Sequence, residues 1–111
     1  WNRPSCEADF ARIGAAMGLS ATGDTARQAE ASISAIAALF AQVGIPATIA
    51  ELGVPVDRLD EIGQLALSAE RLIKNNPRLL DAEGMDRIVR AAHSGGLDLL
   101  TATLPRKAAL Q

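Results

Sequence analysis

Apolar residues recur at three- and four-residue spacing in several stretches of the chain, and no stretch alternates with period two long enough to make a strand. The clearest is 25–46. Within it Ile33, Ile36, Ala37, Phe40 and Val43 share one stripe of a helix, with Gln28, Glu30 and Gln42 largely off it. Thr25 and Gln28 have capping-box spacing, which satisfies two of the free N–H groups at a helix start. Gly44 can take the left-handed conformation that stops a helix, Ile45 can fold back on the last turn, and Pro46 forbids continuation. A stripe so bounded requires a cover.

Before it, Pro4 imposes an extended start, and Ser5 or Cys6 caps a helix running to Met17 with Phe10, Ile13 and Met17 on its apolar edge. Gly18 and Leu19 repeat the ending seen at Gly44 and Ile45, and 20–24 is a polar loop. Beyond Pro46, Thr48 and Glu51 form a second capping box, but Gly53, Val54 and Pro55 limit it to a helical corner of about one turn. Asp57 is the expected cap of a third helix whose seam is Leu59, Ile62, Ala66, Ala69 and Ile73. Pro77 stops it before Asn76. Asp81 and Glu83 start a fourth helix with Met85, Ile88, Val89 and Ala92 inward and Arg87 and Arg90 outward, ended by Gly95 and Gly96. Residues 97–111 hold Leu97, Leu99, Leu100 and Leu104 but also Pro105, which predicts a short helical tail or a frayed terminus. The pattern predicts an all-α fold of four main helices plus a short corner, in antiparallel bundle-like packing, with 1–96 as the domain and 97–111 as its tail.

Composition sharpens this picture. A chain of 111 residues is one ordinary domain, able to bury roughly 60–70% of its unfolded surface without staples. With no Tyr, two Phe and one Trp among many Ala, Leu and Ile, it suits helices packed closely together. A net charge of −2 with mixed signs offers no basic surface for nucleic acid or an anionic membrane. The sequence has neither an apolar run of transmembrane length nor a leader pattern, so a soluble, cytoplasmic protein is expected. The single Cys6 excludes an intramolecular disulfide and fits a reducing compartment. A first residue Trp1 with no methionine before it suggests a chain processed or cut from something longer.

Candidate chemistry is sparse. A transition-metal site needs three or four converging His, Cys or carboxylate ligands, and this chain has one His and one Cys. His93 falls near the end of the fourth helix, where an imidazole complements the C-terminal dipole. A Cys6–His93 nucleophile pair would lack an orienting carboxylate. Asp57, Asp60 and Glu61 read as helix starters rather than acid–base groups, and Gly95–Gly96 follows a helix, unlike a phosphate loop. Arg71, Lys74 and Arg78 around Asn76–Pro77 could meet an anion, although cations at a helix C-terminus are the ordinary account. Taken alone, the residues describe a helical module without catalytic machinery.

The order of several short signals adds more. Asn2-Arg3-Pro4, a helix ending Met17-Gly18, a long helix ending Gly44-Ile45-Pro46, then Glu51-Leu52-Gly53-Val54 and Asn76-Pro77-Arg78 together resemble the C-terminal helical region of the iron-containing, or group III, alcohol dehydrogenases over 2–93. The resemblance implies the dehydroquinate-synthase-like architecture, in which an N-terminal α/β dinucleotide-binding domain precedes an all-helical one. It also implies oxidoreduction of alcohols and aldehydes with NAD or NADP and a divalent metal, usually iron, held by an aspartate and three histidines. Those ligands lie upstream of the matched segment, so no catalytic, cofactor-binding or metal-binding residue carries over to this chain. Iron and NAD(P) would belong to the full-length enzyme, and the isolated segment would be inactive. By position, Leu72, Ile73, Lys74 and Asn75 would line the nicotinamide and substrate cleft. The implied partner is the remainder of the parent enzyme, and an apolar face left bare would drive self-association. A different reading is a free-standing interaction module that takes a partner helix in a groove between helices two and three.

Overall fold

The computed structural model describes residues 1–96; the tail expected at 97–111 lies outside them. Among the described residues there are five α-helices: α1 (Glu7–Ala16), α2 (Thr25–Gln42), α3 (Leu59–Ser68), α4 (Glu70–Ile73) and α5 (Ala82–Ser94). Short 3₁₀ turns at Arg3–Ser5 and Val56–Arg58 complete the set, and none of the described residues is in a strand. The all-α expectation holds.

The helix stops follow the sequence closely. At the end of α2, Gly44 has φ +81°, its N–H donates to Ala41 O, and the Ile45 N–H reaches back to Phe40 O at 2.9 Å. The same pair of bonds closes α1, from Gly18 to Ala15 O and from Leu19 to Gly14 O. Carbonyls that would otherwise be orphaned are thereby satisfied. The starts agree less well. α2 is capped by Asp24, not Thr25: the Asp24 carboxylate accepts from the N–H groups of Ala26 and Arg27, and Thr25 is the first helical residue. Asp57 does not cap α3 but lies in the 3₁₀ turn before it, and Arg58 holds the cap position without a side-chain bond. The capping box of Thr48 and Glu51 does form, since Glu51 Oε2 accepts from the N–H groups of Ala47 and Thr48 while Thr48 Oγ1 accepts from Glu51. Asp81 caps α5 by accepting from Gly84 N–H at 2.8 Å.

The third helix is broken. Ala69 leaves the helical region at φ −78°, ψ 58°, and divides the predicted four-turn element into α3 and α4. The break lets Ile73 turn onto the cluster of Leu59, Met85 and Val89.

Packing joins the helices in two pairs, α1 on α2 and α3 on α5. A β-carbon on Gly14 would sit 3.2 Å from Ser32 Cβ and 3.6 Å from Gln28 O, which places the end of α1 against the first half of α2. In the second pair Asp60 meets Arg90 and Gly63 meets Met85, so α3 and α5 run antiparallel. The corner hangs on the last turn of α5, where Ile49 N–H donates to Ala92 O and His93 Nε2 donates to Val54 O at 3.0 Å.

Two stripes differ from expectation. On α2 the buried residues are Ala29 and Ser32, whereas Phe40 and Val43 of the predicted stripe are exposed, Val43 by 65%. On α5 the inward residues are Met85, Val89 and Ala91, Ala92 is exposed, and Arg87 turns toward Trp1 instead of solvent. Large apolar side chains also stand out at Leu52, Val56, Leu65, Leu72 and Leu79.

Candidate functional site at the Asn-Pro-Arg junction

The two proline motifs that the sequence separates by 74 positions meet in space. Asn2 and Asn76 exchange side-chain amide hydrogen bonds, Asn2 Nδ2 donating to Asn76 Oδ1 at 3.0 Å and Asn76 Nδ2 donating to Asn2 Oδ1 at 2.8 Å. The second amide hydrogen of Asn76 serves Arg78 O and closes the turn around Pro77. Each amide thus uses both its donor and acceptor faces, a geometry that neither Asp nor Leu could reproduce.

Arg78 forms the other half of the latch. Its Nη1 donates to Trp1 O at 2.8 Å while its guanidinium lies 3.8 Å from the centre of the indole ring. A planar guanidinium can do both at once, and the partly desolvated ring face attracts the cation. The far edge of the ring rests on the first turn of α5, where a β-carbon on Gly84 would come within 2.7 Å of Trp1 Cζ2 and Cη2. Arg87 approaches the same ring at 5.8 Å. The junction therefore ties three parts together: the segment at Trp1–Asn2, the loop at 76–78, and the start of α5.

The loop residues expected at a cleft lie just ahead of this latch. Leu72 is 72% exposed, Lys74 and Asn75 are exposed, and Ile73 is half-buried against the core cluster. The helical hydrogen bond of Lys74 N–H to Glu70 O carries α4 up to the turn, and the N–H groups of Asn75 and Asn76 bond back to Leu72 O and Ile73 O. Of the cationic cluster, Arg71 and Lys74 face solvent, but Arg78 is committed to Trp1, so the three do not form one anion site. Cys6 Sγ donates to Asn2 O and His93 serves Val54 O, so each has a partner of its own. Asp60 and Glu61 pair with Arg90 and Arg58. The latch could not be found locally: each motif reads as a turn, and nothing in either names the other.

Iron would need several convergent His, Cys or carboxylate ligands. Among the described residues no three such side chains come together, and the one imidazole is engaged with a backbone carbonyl.

Besides the latch, an apolar groove of about 420 Å³ runs between α2 and α5, walled by Ala37, Phe40 and Ala41 on one side and Ile88, Ala91 and Ala92 on the other. It lies beside α5, not between helices two and three of the sequence reading. No helix among the described residues is long and apolar enough to cross a membrane.

The family described as Fe-containing alcohol dehydrogenase, C-terminal, matches residues 1–93. Among curated proteins and among solved structures, nothing matches. The matched span runs from Trp1 to His93 and takes in both ends of the latch, both helix pairs and the corner, so the chain belongs to the Fe-containing alcohol dehydrogenase family and carries its C-terminal helical domain.

Proposed function

We propose that this chain is the helical part of an iron-dependent, NAD(P)-linked alcohol dehydrogenase that interconverts alcohols and aldehydes, and that it acts as a scaffold for a reaction centre supplied by polypeptide preceding Trp1. The observation that carries the reading is the bare apolar surface: Leu39, Val43, Leu65, Leu72 and Leu79 are all roughly half exposed or more. A domain finished in itself would not leave so many large side chains to water. In the enzyme these faces pack against the dinucleotide-binding and metal-bearing segments, and the latch fixes where the chain arriving at Trp1 meets the 72–78 loop. Leu72, Lys74 and Asn75 then line the nicotinamide and substrate cleft, with Ile73 as their anchor in the core. The hydride and metal chemistry belongs to the other part. The protein works in the cytoplasm.

The test is reconstitution. The encoding gene is read for an upstream frame carrying one aspartate and three histidine ligands, and that polypeptide is co-expressed with this chain and assayed for aldehyde-dependent NAD(P)H oxidation with ferrous iron. Activity from the pair and none from either part supports the proposal. Turnover by this chain unaided, or an upstream frame without the ligands, defeats it. Alone, the chain self-associates through its bare faces, and a monomer in sedimentation at high concentration would contradict that. The groove favours a second reading, a free-standing module holding a partner helix, which requires that no such upstream frame exist.

A further inference from the structure

We infer that Ala69 is a hinge held bent by the Asn2–Asn76 latch: when the latch opens, α3 and α4 straighten into one helix over 59–75 and Ile73 leaves the core. The local sequence does not demand the bend. No Gly or Pro occurs between Gly63 and Pro77, and Ala69 is the strongest of helix formers. The seam Leu59, Ile62, Ala66, Ala69 and Ile73 keeps its three- and four-residue spacing across the break. The bend also forgoes backbone bonds. As the cap of α4, Ala69 offers no side-chain oxygen to the first N–H groups of that helix. In a continuous helix the N–H groups of Glu70 and Arg71 would donate to Ala66 O and Leu67 O instead.

What holds the bend lies at a distance. Gly63 stands opposite Met85 and Asp60 opposite Arg90, a register that brings Ala66 level with Ala82 at the start of α5. A straight helix would carry Ile73, seven residues on, about 10 Å past that start and off its present neighbours. The bend returns Ile73 to Leu59, Met85 and Val89, and the turn bonds of Asn75 and Asn76 to Leu72 O and Ile73 O lead directly into the latch. Opening the latch removes two amide bonds that only the bent form makes. Ser68 is a smaller clasp: its Oγ donates at 2.6 Å to Leu65 O, the acceptor that Ala69 N–H would use in a straight helix. Ala69 N–H turns to Ala66 O instead, at 3.2 Å. A displacement of the segment at Trp1–Asn2 thus sets the position of 72–75. The hinge rests on this chain's geometry alone, and only its use, moving residues that line a cleft, rests on the enzyme reading.

NMR of the full chain tests the hinge without reference to catalysis, so the reconstitution assay can fail with this result unchanged. In the unaltered chain the Ala69 Cα shift should be non-helical, in keeping with ψ 58°, and the amides of Glu70 and Arg71 should exchange rapidly. Asn2→Ala and Asn76→Ala should each move the Ala69 shift to the helical side and slow exchange at Glu70 and Arg71 by about tenfold, as a new helical bond does. Adding Ser68→Ala to Asn76→Ala should move it further. Retained helical shifts at Met85 and Val89 show that the domain is folded. An Ala69 shift that stays non-helical in all of these variants overturns the inference. So does a loss of helical shifts over 70–73, since α4 then unravels instead of straightening. Should opening the latch unfold the domain, Ser68→Ala alone decides, because it leaves the latch in place: the same shift in smaller measure supports the hinge, and none overturns it.

Discussion

Removing the Asn2–Asn76 pair tests whether the latch fastens the Trp1 segment to the rest of the domain. Asn2→Ala deletes both cross-chain amide bonds, whereas Asn76→Ala deletes those two and the bond to Arg78 O. Each such bond contributes about 0.5–1.5 kcal/mol net, more where a partner is left unsatisfied away from water. Asn2→Ala should therefore cost about 1–3 kcal/mol, and Asn76→Ala about 1 kcal/mol more. In the double variant the shared bonds are counted once, so the coupling energy should be about 1–3 kcal/mol, well outside the roughly 0.3–0.5 kcal/mol scatter of independent sites. For a domain of this size a loss of 2 kcal/mol moves the urea midpoint by roughly 1 M. The assay has a built-in reporter, since Trp1 is the one tryptophan and stacks under Arg78. Circular dichroism follows the helices, while Trp1 emission follows the latch. Additive losses within 0.3 kcal/mol, or equal costs for the two single variants, would refute the reasoning.

Other perturbations have outcomes set by the same geometry. Arg78→Lys keeps the charge but not the planar stack over the indole, so Trp1 emission should shift toward that of an exposed indole with a stability loss of about 1 kcal/mol; an unchanged spectrum contradicts the stacking. Met85→Ala opens the core shared by Leu59 and Val89 and should cost about 2–5 kcal/mol in urea unfolding. Arg90→Ala breaks its pairs with Asp86 and Asp60 but should cost less than about 1 kcal/mol, with the difference fading in high salt, because all three side chains are well exposed. The Arg58 guanidinium, hydrogen-bonded at 2.5 Å, holds the Glu61 carboxyl below its ordinary value of 4.5. The folded state then binds fewer protons than the unfolded one, so this contribution is present above pH 4.5 and is lost as pH falls through the folded-state value. An NMR titration should find Glu61 lowered and Arg58→Ala restoring it.

What the sequence revealed was whatever neighbouring residues decide among themselves. The stops at Gly18 and Gly44 are legible because the glycine, the apolar residue after it and the carbonyls they satisfy all lie within six positions. The start of α2 was one residue off for an equally local reason. Both Asp24 and Thr25 can cap, and Thr22 decides between them: its hydroxyl accepts from Asp24 N–H at 3.3 Å and donates to Asp24 O at 3.0 Å, which holds Asp24 in the extended cap conformation. The break in the third helix was not legible, since Ala69 is a strong helix former. Ser68 Oγ donates to Leu65 O at 2.6 Å beside the break, and the demand that Ile73 reach the α5 core overrides local preference. The latch is not legible locally, because its amide bonds cross 74 positions and each motif by itself is an ordinary turn.

The error on α2 is the one that bears on function. Periodicity finds a helix and its most apolar face, then assumes that this face is the one buried in the same chain. Here the buried face is the small one, Ala29 and Ser32, set so close to Gly14 of α1 that an added β-carbon would meet Ser32 Cβ at 3.2 Å. Small residues let the α1 and α2 backbones approach, and that contact needs no large side chain to hold it. The larger residues are thus left for other work: Phe40 on the groove, Val43 and Leu39 on the open face. A helix with two usable faces, one spent on its hairpin partner and the other unspent, is what a domain built to be covered would carry. The two faces answer to different substitutions. Enlarging Gly14 should unseat the hairpin, whereas Val43→Ser should leave this chain's stability within about 0.5 kcal/mol, as for a surface position, and weaken only what packs on it.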